Sequence, residues 1–243
     1  MRLVCLPHAG GAAALYRPWK LKLSGIATVE SPELPGRGTR FGAPHATSLT
    51  ALASDLAVPL AHRIGPLVLY GHSMGALLAY EMARDLMRHG VPVAGLVLAG
   101  RGAPHLAGPP QARHLLADAD LAAELHRFGG TAAEVMALPE LRALALAQVR
   151  ADFRLVDTYV FQPGAPLPMP AVILGGADDP ATSPATLAAW SELIGGPLSV
   201  EIWPGGHFFV RDHEARLIDL VRRALATWRA GPAAIPPAPG LGA

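Results

Sequence analysis

The residues best suited to covalent chemistry are a serine, a histidine and one of two adjacent aspartates. Ser73 stands at the centre of Gly71-His72-Ser73-Met74-Gly75, after the apolar run 67–70 and at the head of a helical pattern through Ala76, Leu77, Tyr80, Glu81 and Leu86. A G-x-S-x-G pentapeptide alone is a weak signal in so glycine-rich a chain. Between strand and helix it is a strong one, because there the serine is thrust out on a sharp turn and the glycines remove side chains that would collide with neighbouring backbone. A neutral hydroxyl needs a base. His207 follows Val200-Glu201-Ile202-Trp203 and the turn Pro204-Gly205-Gly206, which would present an imidazole at a sheet's carboxyl edge. The acid that orients it should follow the preceding strand, where Ala171-Val172-Ile173-Leu174 leads to Gly175-Gly176-Ala177-Asp178-Asp179-Pro180. Either Asp178 or Asp179 could serve, leaving the other to cap the helix expected near Ser183 or to hold the turn. A developing oxyanion would be held by the Met74 amide at the helix start and by a second amide from Leu6-Pro7-His8-Ala9-Gly10-Gly11, with Ala9 the first choice and Gly10 the next. The plainer reading of those glycines is a tight strand-to-helix turn.

The elements that must position these residues are legible as alternation. Apolar β-rich runs at 3–6, 28–30, 67–70, 96–99, 171–174 and 198–203 recur with helical patterns between them, which implies a mostly parallel central sheet with helices on both faces. Residues 48–64 carry Leu49, Leu52, Ala53, Leu56 and Leu60 at helical spacing behind a Ser48 cap, with Pro59 expected to kink or divide the helix. Gly90 and Pro92 should stop the helix that opens at Ser73. From 101 to 159 the strand pattern lapses, and helical stretches at 118–127 and 139–156 lie among Gly and Pro breaks. An insertion after a strand's carboxyl end lies over the ligand crevice, so 101–159 is expected to be a helical lid. Its apolar residues Leu115, Leu116, Leu121, Leu125, Phe128, Met136 and Leu138 suit an acyl chamber and equally suit helices packing on one another.

Composition bounds the rest. A chain of 243 residues, 51% hydrophobic, has room for one sizeable core, so 1–230 is expected to be a single domain. The Gly, Pro, Ala, Ile and Leu tail at 231–243 is expected to be disordered. A formal net charge of +1 with signs interspersed disfavours nucleic acid as a partner. No apolar run approaches a membrane span and no secretory pattern opens the chain, so a cytoplasmic protein with no membrane partner is expected. The single cysteine, Cys5, excludes an internal disulfide and sits where a buried strand residue would. HExxH and GxGxxG patterns are both missing, which argues against metal or dinucleotide chemistry and for no cofactor. His72 is expected to be packed or solvent-linked rather than a ligand.

The set Leu6-Pro7-His8-Ala9-Gly10-Gly11, Leu34-Pro35-Gly36-Arg37, Gly71-His72-Ser73-Met74-Gly75-Ala76, Arg101-Gly102-Ala103-Pro104-His105 and Pro204-Gly205-Gly206-His207-Phe208-Phe209 resembles the type II thioesterases, from about residue 2 to residue 228. These are stand-alone enzymes of the α/β-hydrolase fold that accompany polyketide and nonribosomal peptide synthases. The resemblance implies hydrolysis of acyl groups from the phosphopantetheine arm of acyl or peptidyl carrier proteins, clearing stalled or mis-primed synthases. It places the nucleophile at Ser73, the acid at Asp179, the base at His207 and the oxyanion donors at Met74 and Ala9. Two features depart from it: the first strand begins almost at residue 1, and Pro59 interrupts a helix. A small-molecule carboxylesterase, a non-catalytic receptor on the same fold and a macrocyclising thioesterase domain are the rival readings. Arg216, Arg222, Arg223 and Arg229 on the last helix are a candidate docking face for an acidic carrier.

Overall fold

Strands covered on both faces read as continuous apolar runs, which is the character of the inner four, whereas the edge strands at 28–30 and 198–203 carry polar residues and are partly exposed. The computed structural model describes residues 1–63, 65–106, 108, 111–129, 137–233 and 235. Its strands are β1 (Arg2–Leu6), β2 (Thr28–Glu30), β3 (Leu67–His72), β4 (Val93–Ala99), β5 (Ala171–Gly176) and β6 (Leu198–Trp203). The helices used below are α1 (Arg17–Lys22), α2 (Leu49–Ala61), α3 (Met74–Arg88), α4 (Asp118–Phe128), α5 (Pro139–Asp157), α6 (Pro184–Ala188), α7 (Phe209–Asp212) and α8 (Glu214–Ala230). The sheet order is β2-β1-β3-β4-β5-β6 and every pairing is parallel.

Period-two alternation sorts each strand between two cores. Val4, Leu69, Leu98 and Ile173 join the cluster built with α2, α3 and α6, while Cys5, Tyr70, Val97 and Leu174 join the one built with α1 and α8. Each large apolar side chain so buried contributes about 1.5–3 kcal/mol. Burial also holds the Cys5 thiol well above its ordinary pKa, so it remains a small hydrophobe. Among the described residues no helix is long and apolar enough to cross a membrane.

The chain leaves β1 towards β2 on one side and returns on the other side at β3. The loops that leave the carboxyl ends of β1 and β3 therefore diverge, opening a crevice at this switch point. The loop carrying Ala9 and the turn carrying Ser73 both lie there.

Ser48 caps α2 by accepting the Ala51 amide at 3.3 Å. Pro59 does not divide that helix, contrary to expectation. It sits in the last turn on an exposed face, where only the Asp55 carbonyl loses its donor and water can replace it. Gly90 takes the left-handed conformation, φ 72°, that ends α3. Between β4 and β5 the described residues of 101–159 hold α4 and α5 and no strand. Leu121 and Leu125 of α4 pack with Leu146, Val149 and Phe153 of α5, whereas Leu115 and Leu138 are exposed; Met136 lies outside the described residues. Of the tail expected to be disordered, only 231–233 and 235 are described, and there the Trp228 Nε1–H donates to the Ala233 carbonyl at 3.0 Å.

Candidate active site

The turn at Ser73 is strained, and its neighbours explain how it is sustained. Ser73 has φ 57° and ψ −114°, a region that costs a non-glycine residue about 1–3 kcal/mol. Its amide donates to the Ala99 carbonyl at 2.8 Å, which anchors the turn to β4. A Cβ on Gly71 would stand 2.0 Å from the Gly75 carbonyl oxygen, and one on Gly75 would stand 2.1 Å from that of Leu6. The spacing of the pentapeptide is thus fixed by backbone touching backbone.

His207 Nε2 lies 2.9 Å from Ser73 Oγ, and His207 Nδ1 lies 2.9 Å from Asp179 Oδ2. A carboxylate can only accept, so Nδ1 carries the proton; in the neutral ring Nε2 is then the acceptor for the serine O–H. The Asp179 side chain is fully buried and is held by the Ala181 amide at 2.9 Å and the Thr182 hydroxyl at 3.2 Å. Asp178 is exposed. The expected helix cap is made by Ser183 with Thr186, not by the spare aspartate, whose amide instead holds the turn by donating to the Gly205 carbonyl at 3.0 Å. Asp179 comes from the end of β5, His207 from the end of β6 and Ser73 from the end of β3, so three strand ends deliver the hydrogen-bonded line.

Two buried histidines surround it and do other work. His72 Nε2 lies 2.9 Å from the His207 carbonyl, and burial followed by the nearness of His207 and His8 keeps its pKa well below the ordinary value. It is a neutral ring donating Nε2–H to the loop that carries His207. His8 is held down to about 3 by burial first and by Arg211 next, and its Nε2 accepts from the Arg211 guanidinium at 3.3 Å. Among the described residues no group of three or more His, Cys, Asp or Glu could hold an ion.

Among the described residues, the Met74 amide opening α3 and the Ala9 amide are without hydrogen-bond partners, and both residues border the cavity that Ser73 and His207 enter. The Gly10 amide is already taken, donating to Asp152 Oδ2 at 2.7 Å. That cavity, about 290 Å³, is walled on the insertion side by Leu125, Phe128, Val149, Phe153 and Val156, and Arg101 and Arg113 also line it. Burial lowers Arg101 to about 10, with Arg113 adding to the effect.

Sequence reasoning missed the residues that hold the Ala9 loop: Asp152 and Gln148 on α5, and Arg37, quoted only as part of a motif. Asp152 stands three residues after Val149 on the apolar stripe of α5, and a carboxylate there is a signal that it has a buried partner.

A parallel sheet with a serine on a strained strand-to-helix turn, a histidine past the last strand and an acid past the one before defines an α/β-hydrolase. Within that class the chain belongs to the thioesterase family, whose domain model matches residues 1–225, and it is a thioester hydrolase of the type II kind. It is 36% identical over 237 residues to a probable cadicidin biosynthesis thioesterase of Streptomyces griseus, covering 96% of this chain and 65% of that one. It is 35% identical over 235 residues to the thioesterase PikA5 of Streptomyces venezuelae, covering 96% of this chain and 83% of that one. The solved structure of the type II thioesterase BorB from the borrelidin biosynthetic cluster superposes with a TM-score of 0.86 at 37% identity, covering 92% of each chain.

Proposed function

We propose that this thioesterase releases acyl groups from the phosphopantetheine arm of acyl or peptidyl carrier domains of a polyketide or nonribosomal peptide synthase, acting in trans as an editing enzyme. The observation that carries the reading is the unbroken line from Ser73 Oγ through His207 to Asp179, beside a cavity walled on the insertion side by apolar residues. The relatives' names supply the biosynthetic setting. Ser73 attacks the thioester carbonyl while His207 takes its proton and Asp179 steadies the imidazolium; the amides of Met74 and Ala9 hold the oxyanion. The tetrahedral intermediate expels the pantetheine sulfur, which leaves as thiol with the proton from His207. Water then attacks the acyl-serine, His207 acting as base again, and the free acid departs. No step calls for a cofactor. The 101–159 segment serves as the lid over the acyl chamber within one domain spanning 1–230, and the reaction takes place in the cytoplasm.

The test compares one acyl group presented on a holo carrier protein, on a short pantetheine mimic and as a simple oxygen ester, with Ser73→Ala alongside. Faster release from the carrier, lost in Ser73→Ala, is expected. A preference for the oxygen ester with no gain from the carrier would make the protein a general esterase.

A further inference from the structure

We propose that the buried Arg37–Asp152 ion pair is a positioning device for the oxyanion site, setting the Ala9 amide and tying that setting to α5, the helix that walls the acyl cavity. The inference rests on the reading of Ser73 as nucleophile and Ala9 as oxyanion donor.

The loop after β1 is held by four hydrogen bonds around Ala9. Asp152 Oδ2 accepts the Gly10 amide at 2.7 Å, and Gln148 Nε2 donates to the Gly10 carbonyl at 2.7 Å. Arg37 donates to the Gly11 carbonyl at 2.8 Å, and the Gly11 amide donates to the His8 carbonyl at 2.9 Å. The last bond fixes the peptide that matters. In a trans peptide the carbonyl and the following N–H point in opposite directions, so turning the His8 oxygen towards Gly11 turns the Ala9 N–H away from the loop. The clamp thereby leaves one donor over and aims it.

Asp152 is itself held in a fork by Arg37, with Nη1 at 2.7 Å from Oδ2 and Nη2 at 2.6 Å from Oδ1. The two side chains are 3% and 2% exposed. An ion pair so deeply buried recovers its desolvation cost poorly, and Arg37 Nε is left inside with no partner. Apolar side chains would fill the space at least as favourably, so stability alone does not account for the pair. Its geometry accounts for it: one carboxylate on α5 receives both the Arg37 fork and the Gly10 amide. Gly10 also lies hard against the same helix, since a Cβ there would meet Val149 Cγ2 at 2.6 Å. Val149, Phe153 and Val156 of α5 line the cavity, so a displacement of α5 by the acyl group reaches Ala9 through Asp152 and Gln148. The Ser73–His207–Asp179 line hangs from strand ends and has no hydrogen bond to α5.

The experiment measures kcat, KM and inhibition by butylboronic acid, whose adduct on Ser73 would place a charged oxygen in the oxyanion site. The substrate is butyryl N-acetylcysteamine, and the variants are Asp152→Asn and Gln148→Met with Ser73→Ala alongside. An amide at 152 has one accepting oxygen: placed where Gly10 and Arg37 Nη1 donate, it sets its own NH2 against Arg37 Nη2, so the fork and its charge are lost and the Gly10 anchor is loosened. The expected result is a kcat about 10- to 100-fold lower for Asp152→Asn, since full removal of one oxyanion donor costs about 100- to 1000-fold. KM should stay within about threefold, with boronate affinity falling alongside kcat. Gln148→Met, which keeps the ion pair and folds without an orphaned charge, should show the same pattern at about 3- to 10-fold. Wild-type kcat and boronate affinity in Gln148→Met, together with either the same in Asp152→Asn or its failure to fold, would overturn the proposal and leave a structural ion pair. Turnover retained by Ser73→Ala would instead refute the nucleophile reading.

Discussion

Adjacent aspartates with opposite surroundings make the sharpest residue-scale contrast. Asp179 is buried and accepts from His207, Ala181 and Thr182. Asp178 is exposed. Asp179→Asn should therefore lower kcat by about 10⁴-fold, because an amide in that place favours the wrong imidazole tautomer, while Asp178→Asn should stay within about twofold of the parent. Steady-state hydrolysis of one thioester by the two variants checks this. That these three residues meet was readable because the proposed chemistry demands a nucleophile, a base and an acid at strand ends, and the hydrogen-bonded line joins them. Which aspartate turns inward was settled in the sequence reading only by likeness, since it depends on the turn between β5 and α6, where the Asp178 amide binds the Gly205 carbonyl across the sheet edge. Ala9 against Gly10 was equally open. It turns on a carboxylate more than 140 positions away that consumes the Gly10 amide, and no local pattern reports that.

Elements, by contrast, were legible wherever periodicity carried the information. Runs expected at 28–30 and 198–203 coincide with β2 and β6, and the other strands extend by one to three residues past the expected ends. The extensions at the carboxyl ends fall at Gly71, His72, Gly175 and Gly176, residues of low β-propensity that pair because the strands beside them are already aligned, while β1 and β4 start earlier, at Arg2 and Val93. Pro59 misled for the complementary reason: a proline in the final exposed turn costs one hydrogen bond, and nothing beyond it needed to be helical. A tight element-scale constraint is the close approach of the serine turn to β1. Gly75→Ala would drive a methyl to 2.1 Å from the Leu6 oxygen, and both are backbone-fixed, so a loss of at least about 3 kcal/mol or failure to fold is expected. Gly42→Ala, with nothing within 4 Å of the added Cβ, should change stability by less than about 0.5 kcal/mol. Urea unfolding of the two variants decides it, and an unperturbed Gly75→Ala would show that α3 can retreat from β1.

For the whole molecule, the buried neutral histidines set its response to acid. His8 is held at about 3 and His72 well below its ordinary value, whereas both titrate near 6.5 when unfolded. Below about pH 6.5 the unfolded chain binds protons that the folded chain refuses, so their contribution is complete above that pH and is lost as pH falls towards 3. Each histidine steepens the fall by up to about 1.4 kcal/mol per pH unit. Thermal unfolding between pH 7 and 4 should show a steep acid limb that His8→Gln makes shallower; an unchanged slope would mean that His8 is protonated in the fold. The arginines of α8 singled out for docking are engaged within the chain: Arg216 with Glu201 at 3.2 Å, Arg222 with the Lys22 carbonyl, Arg223 with Asp219 at 3.0 Å and Arg229 with the Ile26 carbonyl at 2.8 Å. Their place on the last helix was visible in sequence; the partners of Arg222 and Arg229, about 200 positions away, were not.

The most direct measurement of the central claim is rapid-quench mass spectrometry of the enzyme mixed with an acylated holo carrier protein, with free thiol and released acid followed in the same reaction. The mechanism predicts acyl mass on the peptide containing Ser73 before the acid appears, and neither adduct nor acid from Ser73→Ala. An adduct on another residue, or acid released by Ser73→Ala at a rate near the parent's, would contradict it.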